Sequence, residues 1–248
     1  MKTLGIIPAR FASSRFPGKP LVDIAGKSMI QRVYERALMT NTLQHVVVAT
    51  DDQRIADHVN SFGGLATLTS SDHQSGTDRC AEVATHFEDA EIIINIQGDE
   101  PFIHPEQIDL LVNCFQKEDT QIATLIKKII DPRELFNFNI PKVVVDTSLK
   151  ALYFSRFSIP FQRDIPEEQW LNSSEYFKHI GIYGFRKTTL MEITSLPMSK
   201  LEKLESLEQL RWLENGFKIQ TAETVHQSHG IDHPDDIQNV LKEYKHLL

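Results

Sequence analysis

The sequence has few cysteines, no long apolar run and a shortage of positive charge. Cys80 and Cys114 lack CxxC or Cys/His spacing, so a zinc site or a disulfide framework is not expected. No stretch approaches the roughly 20 consecutive apolar residues of a membrane-spanning helix. With 26 Lys and Arg against 34 Asp and Glu, the formal net charge is −8, the wrong sign for binding duplex DNA or an anionic membrane. We therefore expect neither nucleic acid nor a membrane as a partner, and any bound phosphate must be held by a local group of cations.

We also expect no export signal, internal repeat or flexible linker in this sequence. In the N-terminal MKTLGIIPAR, Pro8 and Arg10 interrupt the apolar run and no small-residue cleavage site follows, so we expect a cytoplasmic protein. A chain of 248 residues, 41% of them hydrophobic, can form one α/β domain or one domain with a smaller appendage. We interpret it as a single domain over 1–248, with an excursion from the core at about 142–187.

Apolar runs and helical patterns alternate in the first hundred residues. Strands are predicted at 4–9, 45–50, 65–69 and 91–96, and helices at 28–39, 52–63 and 77–87. Near-continuous Ile and Val runs are typical of strands buried on both faces, which indicates βαβ units around a mostly parallel sheet.

In the second half of the chain, predicted strands and helices no longer alternate regularly. Strands are predicted at 142–147, 151–156, 179–186 and 218–224, and the short link between the first two permits only an antiparallel hairpin. One helix is predicted to end at Gly216 and a last one to begin near Pro234. The predicted fold is an α/β fold with a mixed, mostly parallel sheet and helices on both faces, in which ligands bind beyond the carboxyl ends of the strands.

A basic loop, ARFASSRFPGK (9–19), follows the first strand. It is not a Walker A loop, because Gly26-Lys27-Ser28 comes long after the strand and position 21 is Leu. No GxGxxG turn occurs, so Asp51 and Asp52 are interpreted as caps of the next helix rather than as ribose ligands. The loop is either a plain exposed basic loop or a phosphate-binding one, and its cations in an acidic chain favour a triphosphate.

Two acidic segments are candidate metal ligands. Asp99 in NIQGDEP (95–101) directly follows a predicted strand, where it could bind Mg²⁺ or could be a turn residue bonded to its own backbone. In GIDHPDD (230–236), Asp232 precedes the last helix, whereas Asp235 and Asp236 fall in its first turn and favour the helix dipole. Since Mg²⁺ commonly takes one or two carboxylates together with phosphate oxygens, Asp232 could complete a site with Asp99.

Three further polar segments allow a structural or a functional interpretation. In DHQSGTDR (72–79), Gly76 permits close backbone approach and Thr77 is a candidate helix N-cap. His179 and Tyr183 lie four apart on one face of a strand, where they can pack in a core or line a pocket. Two polar positions in a predicted helix would normally be solvated, Glu208 and Gln209.

Together these segments resemble the 3-deoxy-manno-octulosonate cytidylyltransferase (CMP-Kdo synthetase) family. The resemblance runs from about residue 5 to 236 through IPARFASSRFPGKPL, VVVATDD, DHQSGTDR, NIQGDEP, KVVVD, ALYFSRFSIPFQRD, HIGIYGF, LEKLESLEQLR and GIDHPDD. The sialic-acid branch of cytidylyltransferases is similar only loosely and lacks SRFPGKPL and ALYFSR. The resemblance implies a nucleotide-diphospho-sugar transferase-like fold and transfer of CMP from CTP to the anomeric hydroxyl of Kdo, an acidic eight-carbon sugar. Pyrophosphate is released, and the product serves lipopolysaccharide biosynthesis.

The resemblance also implies roles for individual residues. The catalytic residues would be Arg10, Lys19 and Asp99, and Mg²⁺ would be bound by Asp99 and Asp232. The nucleotide would be bound by Pro8, Arg10, Ser14, Lys19, Ser75, Gly76 and Arg79. The sugar would be bound by Arg15, Gln97, Arg156, Arg163, His179, Tyr183, Glu208 and Gln209, with Arg163 a partner for its carboxylate. Family members commonly form homodimers, partly through the ALYFSR half of the chain.

Two departures from the family pattern leave alternatives open. Pro141 stands where many members carry Val, and the loop at 164–176 does not align, so a modified Kdo such as 8-amino-Kdo, or another acidic sugar, is the alternative substrate. A non-catalytic nucleotide-binding module is a second alternative, against which the pair Asp99 and Asp232 argues. A nicotinamide oxidoreductase is disfavoured by the missing glycine fingerprint.

Overall fold

The computed structural model describes residues 1–12, 16–227 and 229–247. The strands of these residues are β1 Thr3–Ala9, β2 Asp23–Ile24, β3 Lys27–Ser28, β4 His45–Thr50, β5 Ala66–Leu68, β6 Ile92–Asn95, β7 Ile122–Lys128, β8 Lys142–Val145, β9 Ala151–Ser155, β10 Phe177–Arg186 and β11 Ile219–Glu223. The helices are α1 Met29–Leu38, α2 Gln53–Ser61, α3 Gly76–Thr85, α4 Pro105–Asn113, α5 Pro132–Leu135, α6 Trp170–Ser173, α7 Lys187–Thr194, α8 Lys200–Glu205, α9 Gln209–Glu214 and α10 Asp236–Glu243.

Nine of the described strands form one mixed sheet. Its order is β11-β7-β10-β6-β1-β4-β5, with β8 paired to β10 and β9 paired to β8, while β2 and β3 form a separate hairpin. The parallel pairs β1–β4, β1–β6 and β4–β5 are joined through helices, as parallel neighbours require. β10 runs antiparallel to β6 and β7, and β8 and β9 form the predicted antiparallel hairpin. The predicted mixed, mostly parallel sheet is confirmed.

Helices cover both faces of this sheet, which explains the Ile- and Val-rich strands. Ile6 of β1 packs in one core cluster with residues of α3, α7 and α9, and its neighbour Ile7 packs in the opposite cluster with α1, α2 and α4. Successive residues of a strand point to opposite faces, so a strand covered on both sides must be apolar at nearly every position. Among the helices of the described residues, none combines the length and the apolarity that crossing a bilayer requires.

Seven elements of the described residues had no counterpart in the sequence prediction, and one predicted helix is divided. The missed elements are β2, β3, α4, α5, α6, β7 and α7. Of these, α4 begins with Pro105, a common first helical residue, and the apolar pattern of β7 is interrupted by Thr124. The helix predicted up to Gly216 is instead α8 and α9, because Ser206 adopts a left-handed conformation with φ 52°. Gly216 has φ 85°, and the helix before it ends as predicted.

Candidate active site

A cavity of about 400 Å³ opens at the carboxyl ends of β1 and β6. These strands pair in parallel, so the loops that follow them leave the sheet at the same edge. The residues that line the cavity come from four distant segments: Pro8, Ala9, Arg10, Ala12, Lys19, Pro20, Gly76, Gln97, Gly98, Asp99 and Asp232. The basic loop and both candidate metal ligands therefore face one space.

Asp99 and Asp232 approach the same cation, the ammonium group of Lys19. Lys19 Nζ lies 2.8 Å from Asp99 Oδ2 and 3.3 Å from Asp232 Oδ1. The backbone joins the two acidic segments as well, since Ile231 N–H donates to the Asp99 carbonyl oxygen over 2.9 Å. Two hard carboxylate ligands already gathered around a positive charge are a donor set that fits Mg²⁺.

Close packing on Pro8 sets the position of the acidic loop and of α3. A Cβ atom at Gly98 would lie 2.6 Å from the Pro8 carbonyl oxygen, and one at Gly76 would lie 3.1 Å from Pro8 Cγ. The first distance is shorter than any normal contact and involves backbone, so only glycine allows the loop that carries Asp99 to rest on β1.

The amino terminus of α3 and Arg10 supply positive potential at the cavity. Ser75 is the N-cap of α3: its side chain accepts from Asp78 N–H, and the Asp78 side chain accepts in return from Ser75 N–H. The expectation that Thr77 caps this helix is therefore wrong. The exposed Arg10 guanidinium donates to the Gln74 carbonyl oxygen over 2.9 Å, so it stands beside a helix terminus that favours anions.

Arg79 is not brought to the cavity. It is fully buried, and it donates to Asp51 Oδ2 over 3.0 Å and to the Thr69 hydroxyl. Asp51 and Thr69 follow β4 and β5, so Arg79 ties α3 to the ends of these strands. Asp52 caps α2 by accepting from Arg54 N–H, so its interpretation as a cap is confirmed. The same interpretation of Asp51 is wrong, because Asp51 pairs with Arg79.

A second group of polar side chains lies between β6, β10 and α9, and we call it the buried polar cluster: Thr77, Asn95, Thr124, His179, Tyr183, Glu208 and Gln209. Tyr183 stands opposite Asn95 in the antiparallel pairing of β10 with β6. In the described part of the chain, three buried polar atoms of this cluster have no hydrogen-bond partner: Asn95 Oδ1, Tyr183 Oη and Gln209 Nε2. Unpaired polar atoms in a buried position are costly, so these three atoms are candidates for contacts with a ligand.

Burial keeps His179 and Tyr183 of this cluster uncharged at neutral pH. Desolvation lowers the pKa of His179 to about 3, and His179 Nε2 shares a hydrogen bond of 2.9 Å with the Thr124 hydroxyl. Desolvation and the neighbouring Glu208 raise the pKa of Tyr183 well above its usual value. Desolvation also raises the pKa of Glu208, an effect opposed by the hydrogen bond from Thr77 and by Arg211.

The same-face placement of His179 and Tyr183 is confirmed, since their ring centroids are 5.2 Å apart. β10 carries a bulge between Ile180 and Tyr183 that adds two residues, and an even number preserves the alternation of faces. Gln209, expected to be solvated, is only 4% exposed, because the break at Ser206 turns α9 toward the sheet.

The remaining predicted site residues lie apart from the cavity or outside the description. The Arg156 guanidinium donates to the carbonyl oxygens of Glu205 and Ser206, and it supports the break between α8 and α9. Arg163 has a side chain 90% exposed. Ser14 and Arg15 lie outside the described residues. Sequence reasoning missed Asn95, although a lone polar residue in the apolar run IIINI is a signal for it.

The doubly covered sheet, with a cationic loop and two carboxylates at its carboxyl edge, defines a nucleotidyltransferase class. The chain belongs to the cytidylyltransferase family, whose profile matches residues 4–219, and within it to the 3-deoxy-manno-octulosonate cytidylyltransferases. It is 53% identical over 246 residues to such an enzyme from Parabacteroides distasonis, covering 97% of each chain. It is 52% identical over 243 residues to the one from Bacteroides thetaiotaomicron, covering 96% of each. The resemblance seen in the sequence is thus confirmed.

Two solved structures are similar to this chain in fold. The structure of a CMP:2-keto-3-deoxy-manno-octonic acid synthetase complexed with CTP superposes with a TM-score of 0.92 at 44% identity, over 100% of both chains. A 4-diphosphocytidyl-2C-methyl-D-erythritol synthase from Anaerococcus prevotii, at 11% identity and a TM-score of 0.65 over 98% of this chain and 99% of its own, shares the fold alone.

Proposed function

We infer that this chain moves CMP from CTP to the anomeric hydroxyl of Kdo and releases pyrophosphate, a reaction of lipopolysaccharide biosynthesis. The observation that carries the inference is the convergence of Asp99, Asp232 and Lys19 in one cavity, at the strand ends where this family of folds binds ligands. The relatives named above, which match almost the full length of the chain, support both substrates.

The phosphate end of the site consists of Lys19, Arg10 and the amino terminus of α3. Each supplies positive potential to the same cavity, and Pro8 and Gly76 form its wall. In transfer to an α-phosphate, negative charge grows on the departing pyrophosphate, and cations fixed in advance stabilise it without reorganising. We assign Arg10 and Lys19 to this charge, and Ser14 and Ser75 to orienting the phosphates.

Asp99 and Asp232 would hold Mg²⁺. A bound Mg²⁺ would polarise the α-phosphate and lower the pKa of the attacking hydroxyl. For this, Lys19 has to leave the two carboxylates and turn its ammonium group to the phosphates, a movement that its long unbranched side chain permits.

The sugar end of the site is the buried polar cluster. Its three unpartnered atoms are an acceptor, Asn95 Oδ1, a hydroxyl that can donate or accept, Tyr183 Oη, and an amide donor, Gln209 Nε2, which together complement the hydroxyls of a sugar. We propose that Glu208 and His179 orient the sugar from the same cluster. We assign the remaining sugar contacts by resemblance to Arg15, Gln97, Arg156 and Arg163.

We propose that no side chain serves as a strong general base. His179 is neutral and already hydrogen-bonded to Thr124, and Tyr183 stays protonated because burial raises its pKa. The residues therefore act by placing the hydroxyl in line with the α-phosphate and by neutralising charge.

A pyrophosphate-release assay tests the substrate. With CTP and Mg²⁺ we expect turnover with Kdo to exceed turnover with 8-amino-Kdo or sialic acid by at least tenfold, and UTP to replace CTP poorly. Faster turnover of 8-amino-Kdo would assign the chain to the modified sugar. Binding of CTP without product from any sugar would support a non-catalytic module instead.

Replacement of Asp99 tests the metal ligand. We expect Asp99→Asn to lower kcat by about 10²- to 10³-fold, the usual effect of removing one electrostatic group at a reacting phosphate. Asp235→Asn, an equal change at an exposed position of the neighbouring segment, should retain activity. If the Asp99 variant turned over like the wild type, the metal role would be refuted.

We propose further that the enzyme forms a homodimer through the segment at about 136–161. Large apolar side chains are exposed there, with Phe138 59%, Leu152 61% and Phe157 61% accessible, and the rings of Phe138 and Phe157 stack at 5.9 Å. Large apolar side chains exposed together in one segment are a mark of an interface.

We also propose that the enzyme is cytoplasmic, where CTP is available. Cell fractionation with an antibody to the protein would test the location.

A further inference from the structure

Three side chains with metal-binding atoms lie together outside the cavity: His104, Glu106 and His226. One ligand atom of each lies within 4.8 Å of the other two. His104 is the N-cap of α4, Glu106 lies in the first turn of this helix, and His226 follows β11. The residues that line the active-site cavity include none of the three.

The three side chains are close enough together to bind one metal ion after small rotations. His226 Nε2 lies 2.7 Å from Glu106 Oε2, and the rings of His104 and His226 stack with centroids 3.5 Å apart and planes 4° from parallel. Stacked rings point their nitrogen lone pairs along parallel planes, so one ring must turn before both can reach one ion. The Glu106 side chain is 68% exposed and that of His226 26%, which leaves room for this rotation.

The donor set selects the kind of ion. Imidazole nitrogens suit Zn²⁺, Ni²⁺ and Cu²⁺, whereas Mg²⁺ prefers oxygen ligands only. Ligand atoms around a tetrahedral Zn²⁺, with bonds of about 2.1 Å, are about 3.4 Å apart, so rotation of side chains can close the present spacing. The α4 dipole and the nearby Arg36 oppose a cation, and the Glu106 carboxylate offsets them.

We propose that His104, Glu106 and His226 form a binding site for a divalent transition metal of the Zn²⁺ class, with water in the open position. The expectation against a zinc site rested on the cysteines, and this site uses none. His226 is far along the chain from His104 and Glu106, so no spacing motif indicates the site.

The position of the site suggests what a bound ion does. His104 ends the loop that carries Asp99, and His226 lies on the segment that leads to Asp232, the other acidic residue of the cavity. The hydrogen bond from Ile231 N–H to the Asp99 carbonyl oxygen already joins these segments. A metal ion on the three side chains adds a second link, and it stabilises the folded chain by binding the native state alone.

The test uses the full chain, stripped of metal and then supplied with saturating Mg²⁺ so that the acidic residues of the cavity are occupied. Zn²⁺ is titrated by calorimetry, thermal unfolding is recorded with and without Zn²⁺, and Co²⁺ serves as a visible-absorption probe of nitrogen ligation. His104→Asn keeps a good N-cap residue, Glu106→Gln and His226→Gln remove the other ligands, and the exposed His86→Gln is the matched control.

We expect the wild type and the His86 variant to bind one equivalent of Zn²⁺, to gain several degrees in Tm and to develop the Co²⁺ absorption. Each of the three site variants should lose at least tenfold in Zn²⁺ affinity and both other signals, with metal-free Tm and Mg²⁺-dependent turnover unchanged. Wild-type Zn²⁺ affinity in the His104 and His226 variants would overturn the site, whether or not the proposed transferase activity is found.

Discussion

At the scale of single residues, Lys19 has two arrangements open to it. Its ammonium group lies between Asp99 and Asp232, and its side chain is only 15% exposed, so the three groups form one partly desolvated cluster. The phosphates of a nucleotide offer the same ammonium group a competing partner. Binding of metal by the carboxylates and of phosphate by Lys19 should therefore occur together.

Replacement of Lys19 separates these two roles. With Lys19→Met the two carboxylates lose one counter-cation, so we expect Mg²⁺ alone to bind more tightly, by up to about fivefold, as suits a partly exposed ion pair. Turnover should nevertheless fall by at least about tenfold. Calorimetry with Mg²⁺ and the pyrophosphate assay measure the two effects, and Lys27→Met, an exposed lysine paired with Glu35, is the control. Unchanged or weaker Mg²⁺ binding would show that Lys19 does not compete for this site.

Glu208 provides a prediction about pH. Burial raises the pKa of Glu208 in the folded state, whereas its value in the unfolded chain is near 4.5. Ionisation is therefore harder in the folded chain than in the unfolded chain, and this difference lowers the free energy of unfolding. This penalty is absent well below pH 4.5 and grows as pH rises toward the folded-state pKa. Glu208→Gln keeps an oxygen acceptor for Thr77 and should be relatively more stable at pH 7 than at pH 4.

Urea unfolding across this pH range measures the effect, and Glu192→Gln on the exposed face of α7 should show no pH-dependent difference. The KM for Kdo should rise by about tenfold if Glu208 binds the sugar, which equals about 1.4 kcal/mol. A stability difference that stayed constant with pH would contradict the raised pKa.

At the scale of secondary-structure elements, the site depends on how strand ends pack against each other. The loop after β6 rests on the last residues of β1, and α9 faces the sheet because α8 stops at Ser206. The bulge in β10 turns two carbonyl oxygens, of Ile180 and Ile182, toward the Thr124 hydroxyl, which also binds His179. Each of these local irregularities positions a side chain of the site.

Two glycine substitutions test this packing. Gly98→Ala would place a Cβ atom 2.6 Å from the Pro8 carbonyl oxygen, so we expect the Asp99 loop to shift, the free energy of unfolding to fall by roughly 1–3 kcal/mol and turnover to fall by at least tenfold. Gly181→Ala in β10 meets no atom within 4 Å among the described residues and should change stability by less than about 0.5 kcal/mol. Equal stability of the two variants would contradict the close approach.

At the scale of the whole molecule, the exposed apolar residues are unevenly distributed. Phe138, Leu152 and Phe157 lie near the β8–β9 hairpin, and in the described chain β9 pairs only with β8. An edge strand beside an apolar patch can pair or pack with a second copy, and this is the surface to which we assign the homodimer.

The homodimer is tested by light scattering coupled to gel filtration. The wild type should have twice the 28.4 kDa mass of one chain, and Leu152→Asp should have the single-chain mass. Leu38→Asp changes a similarly exposed leucine at the end of α1 and should stay dimeric. A wild type that is monomeric at micromolar concentration, or a dimeric Leu152 variant, would refute this assignment.

Much of the fold and part of the site followed from the sequence, because they depend on local patterns. Buried strands are apolar at every position, helices repeat every 3.6 residues and glycine marks turns, so the alternation of strands and helices and the loops at the strand ends were predictable. The sequence also predicted the motifs around Arg10, Lys19, Asp99 and Asp232, because each is a short local pattern. These motifs identified the family.

Only the tertiary structure decided which residues meet. It placed Asp99 and Asp232 on one ammonium group, buried Arg79 against Asp51, turned Gln209 into the core and joined His104 to His226. These outcomes depend on strand order, on the register between β6 and β10 and on the break at Ser206, which are set by packing between segments distant in the chain. Burial and long-range contact are properties of the packed chain, and no pattern of neighbouring residues contains them.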